Sequence, residues 1–180
     1  MTLFGVDATF KANWANSGDF LARVGLGWDS TKTYTQLGTI SADLSETKSG
    51  AAGGYSYIGI YGWSENPMIE YYIVEDWYSS APNPGGTNMG TITVDGGTYT
   101  VWKHQQVNQP SVTGNNSTFW QFFSVRNTAR TCGHISISDH FTKWNGLGMT
   151  LGNMEEAKIL IEAGGGTGNI TFSVAKMSAQ

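Results

Sequence analysis

Residues 67–74 read Pro67-Met68-Ile69-Glu70-Tyr71-Tyr72-Ile73-Val74, an apolar and aromatic run that contains one carboxylate. Side chains alternate between the two faces of a β-strand. Glu70 therefore shares a face with Met68 and Tyr72, whereas the two isoleucines point to the other face. Taking a carboxylate out of water is costly unless a partner compensates. The position of Glu70 therefore predicts a functional group.

A second carboxylate lies in a similar run, Ile159-Leu160-Ile161-Glu162-Ala163. Two carboxylates on one walled cleft are the groups that hydrolyse glycosidic bonds. We therefore expect Glu70 and Glu162 to face one groove. The structural alternative is that each is a buried glutamate whose hydrogen bonds are satisfied within the fold.

Alternating segments recur along the whole chain, separated by Gly, Asn, Ser or Pro. Such regular spacing predicts an all-β sandwich or barrel. The clearest turn is Asp95-Gly96-Gly97, which has the composition of a tight hairpin. The predicted strands are 8–14, 20–28, 33–46, 54–63, 68–77, 89–94, 97–106, 118–126, 132–136, 157–162 and 169–177.

Residues 138–148 break this pattern. Ser138 can act as an N-cap, apolar residues follow at 141, 144 and 147, and glycines end the segment. These signals predict one amphipathic helix of two to three turns on the outside of the sheet. A length of 180 residues fits a single domain, 1–180.

The composition excludes several classes of partner. Only 13% of residues are charged, the net charge is −4, and no Lys/Arg cluster is present, so nucleic acid is not an expected partner. No stretch approaches the length of apolar residues that spans a membrane. The 7 Trp, 8 Tyr and 8 Phe side chains, with few charges, suit a neutral and hydroxyl-rich ligand such as a sugar.

No metal or cofactor is expected. The single cysteine, Cys132, rules out an intrachain disulfide. The three histidines, His104, His134 and His140, have no metal-ligand spacing to one another or to this cysteine.

Several long motifs, in this order, resemble family 11 of the glycoside hydrolases, the small endo-β-1,4-xylanases. The resemblance extends from about Phe10 to Met177. Its motifs are Tyr61-Gly62-Trp63 with Asn66-Pro67-Met68-Ile69-Glu70-Tyr71-Tyr72-Ile73-Val74-Glu75, Gln109-Pro110-Ser111-Val112 with Thr118-Phe119-Trp120-Gln121-Phe122-Phe123-Ser124-Val125-Arg126, and His140-Phe141, Trp144, Leu147-Gly148-Met149 and Leu151-Gly152.

This resemblance implies a β-jelly roll of two curved antiparallel sheets with a single α-helix and a deep cleft. It also implies a retaining endo-1,4-β-xylanase that acts on xylan through a covalent glycosyl-enzyme and uses no cofactor. We expect a secreted monomer, although Met1-Thr2-Leu3 does not resemble a signal peptide. The family normally begins with one or two further strands that carry a sugar-stacking tryptophan, and this chain starts too late for them. The alternative is a non-catalytic carbohydrate-binding jelly roll.

The resemblance also assigns roles to residues. Glu70 matches the nucleophile and Glu162 matches the acid/base. Trp14 and Phe119 match rings of the wall or core, as does Trp63. The positions expected to contact substrate are the cleft phenols Tyr61 and Tyr72, the ring of Trp63, the amide of Gln121 near the nucleophile, and Pro110, Ser111 and Val112 at the tip of a mobile thumb.

Asp19 matches the position that partners the acid/base. The family has either Asn or Asp at this position, and Asp there goes with an acidic optimum, so the resemblance implies activity that is best below about pH 6. A third carboxyl beside the other two would also share a proton with them and couple their titration. The alternative is an ordinary turn aspartate. Gln106 stands where the family commonly has an arginine next to the nucleophile. The pair Glu75-Asp76 follows the Glu70 strand and is interpreted as a solvated strand end.

Overall fold

The computed structural model describes residues 5–15 and 18–180. It consists of two twisted β-sheets and two helices, which confirms the predicted all-β architecture. Each predicted strand overlaps an observed strand, and the boundaries differ most for the predicted strand 33–46, which is observed as Ile40–Ala51. Within the described ranges, no helix is both long and apolar enough to cross a membrane.

The smaller sheet contains four strands. They are β1 (Gly5–Ala15), β3 (Ile40–Ala51), β9 (Cys132–Ile135) and β11 (Thr167–Ala179). Their order across the sheet is β1-β11-β3-β9, and each neighbouring pair is antiparallel.

The larger sheet contains seven strands. They are β2 (Phe20–Gly27), β4 (Ser56–Glu65), β5 (Ile69–Asp76), β6 (Thr87–Val94), β7 (Gly97–Pro110), β8 (Asn116–Arg126) and β10 (Asn153–Ala163). Their order is β2-β10-β4-β5-β8-β7-β6. The β6–β7 hairpin turns at Asp95 and Gly96, which both have positive φ, as the Asp-Gly-Gly sequence predicts.

One pair of strands departs from the predicted antiparallel arrangement. Strands β5 and β8 are parallel, with Glu70 beside Gln121 and Tyr72 beside Phe123. The reason is topological, because the connection between β5 and β6 is a crossover and not a hairpin. The connection from β5 to β6, residues 77–86, brings the chain back to the end of the sheet where β5 begins, so β6 runs in the direction of β5. After the β6–β7 hairpin, β8 runs in that direction too.

The two helices also refine the prediction. The expected amphipathic helix is α2 (Ile137–Gly146), which packs Phe141 edge-on against Tyr71 of β5. Ser136 occupies its N-cap, and the hydroxyl of Ser138 instead accepts a hydrogen bond from the backbone N–H of Ile40 at 2.8 Å. A one-turn helix, α1 (Tyr34–Leu37), replaces the start of the predicted strand 33–46, because Thr33 and Gln36 form a capping box.

The larger sheet is apolar on both of its faces. One face packs against the smaller sheet and α2 to form the main core, which includes Ile69, Tyr71 and Ile73. The opposite face carries a second group of buried side chains, which we call the cleft-face cluster. It consists of Tyr61, Trp63, Tyr72, Val74, Phe119, Phe123, Val125 and Leu160.

Candidate active site

The β4–β5 hairpin places the first carboxylate on the cleft face. In this antiparallel pair Tyr61 lies opposite Tyr72, and Trp63 lies opposite Glu70. The turn between the strands contains a cis Asn66–Pro67 peptide. The alternation read from the sequence is confirmed, because Glu70 and Tyr72 face the cleft while Ile69 and Tyr71 belong to the main core.

Strand β10 brings the second carboxylate to the same face. It pairs with β4 on the side away from β5, with Glu162 opposite Tyr57. Its neighbour Leu160 belongs to the cleft-face cluster, whereas Ile159 and Ile161 belong to the main core. Glu162 therefore faces the groove, as does Glu70, although 92 positions separate the two residues in the chain.

The two carboxylates meet at one phenol. The hydroxyl oxygen of Tyr72 lies 3.1 Å from Oε1 of Glu70 and 3.2 Å from Oε2 of Glu162. These two carboxylate oxygens are thus separated by no more than two hydrogen-bond lengths. A phenol has one proton, so it can donate to an ionised carboxylate while accepting from a protonated one. The geometry fits one ionised and one protonated glutamate.

Both carboxylates open into one cavity of about 460 Å³. Each glutamate is 8% exposed. A ligand in the cavity can therefore reach the carboxylates, although they have little contact with solvent. The cavity contains three carboxylates and, among the residues that line it in the described part of the chain, no lysine or arginine. Its lining residues are Asp19, Tyr55, Tyr57, Glu70, Tyr72, Pro84, Gln106, Gln109, Pro110, Phe119, Gln121, Phe123 and Glu162.

The pKa of Glu162 is raised to about 8. Burial is the largest cause, followed by the negative charges of Asp19 and Glu70. A hydrogen bond from Tyr72 lowers the pKa and only partly offsets these effects. Glu162 is therefore protonated at neutral pH and can serve as a proton donor.

Glu70 has a different environment. Burial raises the pKa of Glu70 above its ordinary value, and hydrogen bonds from Gln121, Tyr61 and Tyr72, with the charge of Arg23, only partly offset this rise. Nε2 of Gln121 donates to Oε2 of Glu70 at 2.6 Å. Because these donors favour the ionised form, Glu70 is the carboxylate that is equipped to act as a nucleophile.

Asp19 lies at the edge of the same cavity. Its carboxylate accepts a hydrogen bond from the hydroxyl of Tyr55 at 3.1 Å, and its charge raises the pKa of Glu162. The structure therefore brings Asp19 together with Glu162, as the sequence predicted, through charge and through the shared neighbour Tyr55.

The predicted thumb is the hairpin between β7 and β8. Pro110 lines the cavity, whereas Val112 packs against the cleft-face cluster. Ser111 organises the turn, since its hydroxyl donates to the backbone oxygen of Asn115 at 2.7 Å. Of the three predicted tip residues, the structure places only Pro110 in the cavity wall.

The predicted aromatic residues divide between the wall and the interior. Phe119 lines the cavity and contacts Trp63 edge-on, with ring centroids 4.8 Å apart. Trp63 and Tyr61 are buried beside the cavity, and the indole N–H of Trp63 donates to the Tyr61 hydroxyl. Trp14 is a core ring that stacks on Phe20.

Arg23 and Glu156 form an ion pair on the cleft side of the sheet. The guanidinium Nη1 lies 2.8 Å from Oε1 of Glu156, and the same group sits 4.9 Å from the ring centroid of Tyr61. Arg23 is thus held over the phenol that donates to Glu70. The sequence interpretation did not single out Arg23.

Several cavity residues were missed from the sequence. Tyr55 and Tyr57 precede Tyr61 and Trp63 at even spacing, so the strand alternation used for the later pair also predicts their position. Phe123 follows from the same rule applied to Gln121 on β8. Gln109 and Pro84 carry no such signal, because their placement depends on a bulge in β7 and on the loop before β6.

The sequence of this chain is similar to those of proteins of known family. The family model described as Glycosyl hydrolases family 11 matches residues 3–173. The chain is 51% identical over 173 residues to Endo-1,4-beta-xylanase C of Fibrobacter succinogenes and 49% identical over 183 residues to Endo-1,4-beta-xylanase S20 of Neocallimastix patriciarum. These alignments cover 96% and 99% of this chain but only 28% and 54% of the respective relatives.

A solved structure supports the architecture. The wild-type ENZbleach xylanase is 47% identical and superposes with a TM-score of 0.89, covering 94% of this chain and 70% of that one. The jelly-roll fold expected from the resemblance is thereby confirmed.

Proposed function

Since this chain belongs to glycosyl hydrolases family 11, we propose that it hydrolyses internal β-1,4 bonds of xylan and retains the configuration of the sugar through a covalent glycosyl-enzyme. In this proposal Glu70 attacks the anomeric carbon while Glu162 protonates the leaving oxygen. Glu162, now ionised, then removes a proton from the water that releases the sugar from Glu70. The curated relatives named endo-1,4-beta-xylanase support the substrate.

The observation that carries the proposal is that the carboxylates of Glu70 and Glu162 both contact the hydroxyl of Tyr72. Retaining glycosidases hold their two carboxyl groups only about 5–5.5 Å apart, whereas inverting enzymes leave room for a water between them. A shared contact with the Tyr72 hydroxyl at 3.1 and 3.2 Å supports the closer arrangement. The raised pKa of Glu162, to about 8, supports its role as the acid.

The cavity wall supports a neutral polymer as substrate. Rings of Tyr57, Phe119 and Phe123 line it, and sugars stack their C–H faces on such rings. We propose that Tyr72 and Gln121 contact the sugar bound next to Glu70, and that Pro110 covers it from the thumb. Tyr61, Trp63, Ser111 and Val112 would then support these groups from behind or at the thumb tip.

Xylan is too large to enter a cell, so we propose that the protein acts outside the cell, as a monomer. A single chain supplies both carboxylates and the cavity wall. The proposed reaction uses no metal or cofactor, because the two glutamates provide both the nucleophile and the proton.

The direct test is the release of reducing sugar from xylan by the wild type and by Glu70→Gln, with Glu65→Gln as a matched control at the end of β4. We expect the first variant to lose nearly all activity and the control to keep it. Equal release by the wild type and Glu70→Gln would reject the enzymatic role. Binding of xylan without any release by the wild type would instead support a carbohydrate-binding module.

A second measurement tests retention. Incubation with a 2-deoxy-2-fluoro xylobioside that has a good leaving group is expected to add one glycosyl unit to Glu70, detected by mass spectrometry of the peptide. Proton NMR of the first-formed product should show the β-anomer. A first-formed α-anomer would indicate inversion and reject the double displacement.

A further inference from the structure

A chain of two amides leads to the predicted nucleophile. Nε2 of Gln106 donates to Oε1 of Gln121 at 2.9 Å, and Nε2 of Gln121 donates to Oε2 of Glu70 at 2.6 Å. All three residues line the cavity. The sequence interpretation noted Gln106 only as the residue that stands in place of an arginine.

The direction of this chain is set by chemistry. An ionised carboxylate only accepts hydrogen bonds, so Gln121 must turn its NH2 group towards Glu70. Its carbonyl oxygen then points the opposite way and needs a donor. Gln106 supplies that donor, and the same contact would be lost if the amide of Gln121 were reversed.

The backbone explains why Gln106 is the residue in this place. Strands β7 and β8 are antiparallel, with His104 opposite Gln121 and Gln106 opposite Phe119. Gln106 thus reaches Gln121 diagonally on the cleft face. The register shifts between Gln106 and Gln109, where the thumb hairpin begins. The chain of amides therefore starts at the base of the thumb and ends at the nucleophile.

We propose that Gln106 is a positioning residue, which fixes the side-chain amide of Gln121 in the orientation that donates to Glu70. Gln106 acts through Gln121 and has no proposed contact with the reacting atoms. Its effect is to favour the ionised nucleophile while the acid remains protonated. The inference rests on the proposed function, since it assigns Glu70 the role of nucleophile.

The test is the pH dependence of kcat/KM in Gln106→Leu, which removes the donor and keeps a similar volume. Without the donor, Gln121 can reverse its amide, so Glu70 loses a hydrogen bond that favours its ionised form. We expect the acid limb to move to higher pH by roughly 0.5 to 1 and kcat/KM on that limb to fall roughly three- to tenfold. The alkaline limb, which reports Glu162, should stay in place.

Two further variants control for general effects. Gln105→Leu makes the same change one residue earlier on β7, at an exposed position on the opposite face, and should leave the profile unchanged. Gln106→Arg retains N–H donors for the carbonyl of Gln121, so its acid limb should remain at or below the wild-type position. The proposal would be overturned if the acid limb of Gln106→Arg moved to higher pH as far as that of Gln106→Leu.

A double-mutant cycle shows whether Gln106 acts through Gln121. In a Gln121→Ala background, the further change Gln106→Leu should have little additional effect on the acid limb. Full additivity would overturn the proposal, as would an unchanged acid limb in Gln106→Leu itself. Either of these two outcomes can be observed only if the wild type is active and its activity depends on Glu70. An inactive wild type, in contrast, would reject the proposed function.

Discussion

The hydroxyl of Tyr55 lies 3.1 Å from a carboxylate oxygen of Asp19, and both residues line the cavity that contains Glu162. After burial, the charge of Asp19 is the largest cause of the raised pKa of Glu162. The protonation of the proposed acid is thus linked to the residue just before β2. The pH range of activity should depend on this link.

The wild-type kcat/KM is expected to fall at alkaline pH with a midpoint near 8, because burial, Asp19 and Glu70 raise the pKa of Glu162 to about 8. It should fall at acid pH as Glu70 becomes protonated. The family resemblance instead predicts activity that is best below about pH 6. Initial rates on a soluble xylo-oligosaccharide, measured at steps of about one pH unit between roughly pH 3 and 10, distinguish the two expectations. Full activity at pH 7 supports the alkaline midpoint near 8. Activity that is already lost at pH 7 supports the acidic optimum and a proton shared between Asp19 and Glu162.

Asp19→Asn should move the alkaline limb to lower pH, by roughly 0.5 to 1. The change removes a negative charge that raises the pKa of Glu162 but keeps an oxygen that can accept from Tyr55. Asp29→Asn, just beyond the opposite end of β2, is the matched control and should leave the limb unchanged. A limb that stays in place or moves to higher pH in Asp19→Asn would contradict an action of Asp19 through charge.

Glu162→Gln should be inactive yet more stable than the wild type at pH 8. The folded-state pKa of Glu162 is about 8, above its ordinary value of 4.5, so folding favours the protonated form. Its stabilising effect is complete below pH 4.5 and is lost as pH rises through 8. Glutamine does not ionise, so the variant avoids a cost on the order of a few kcal/mol.

Thermal unfolding of both proteins at two pH values measures this difference. The variant should gain several degrees in Tm at pH 8 and little at pH 4.5, where the wild-type side chain is already neutral. An equal gain at both pH values would assign the effect to packing. A loss at pH 8 would show that the carboxylate of Glu162 is well compensated in the fold.

The sequence predicts the half of the site that lies on one hairpin. Strand alternation and the Asn66-Pro67 turn suffice to place Tyr61, Glu70 and Tyr72 on one face, and the observed register confirms this. The same rule would have found Tyr57. That Glu162 lies beside this strand follows from the order of β10 and β4, which no local pattern reveals. The expectation that Glu70 and Glu162 face one groove rests on their two similar apolar runs and on the chemistry of paired carboxylates, and the family resemblance adds which of them is the nucleophile.

Glu75 and Asp76 show where the pattern fails. The sequence interpretation as a solvated strand end is wrong, since their exposures are 0% and 2%. The register of β4 and β5 shifts at this point, with Gly59 opposite Val74 and Ile58 opposite Asp76. A bulge adds a residue to β5 and changes which face each later side chain occupies. Alternation counted from Glu70 therefore does not apply beyond Val74.

The partners of Glu75 are also distant in sequence. Nε of Arg130 contacts its Oε2, Nη1 of Arg126 lies 3.7 Å from the same oxygen, and the hydroxyl of Tyr99 donates to its Oε1 at 2.7 Å. These residues come from β7, β8 and the segment that follows β8. A buried carboxylate between two arginines is costly to disturb, because removing its charge leaves the guanidinium groups uncompensated.

Glu75→Gln is therefore expected to lower the free energy of unfolding by about 3 kcal/mol. Urea unfolding at pH 7 measures this loss, and Glu65→Gln, at the half-buried end of β4, should change stability by less than about 1 kcal/mol. Because Tyr99 belongs to the core between the sheets, kcat/KM of the folded Glu75→Gln protein at low temperature should match that of the wild type. Unchanged stability would mean that the two arginines find other partners. A lost activity in a fully folded variant would mean that this buried network positions the cleft face.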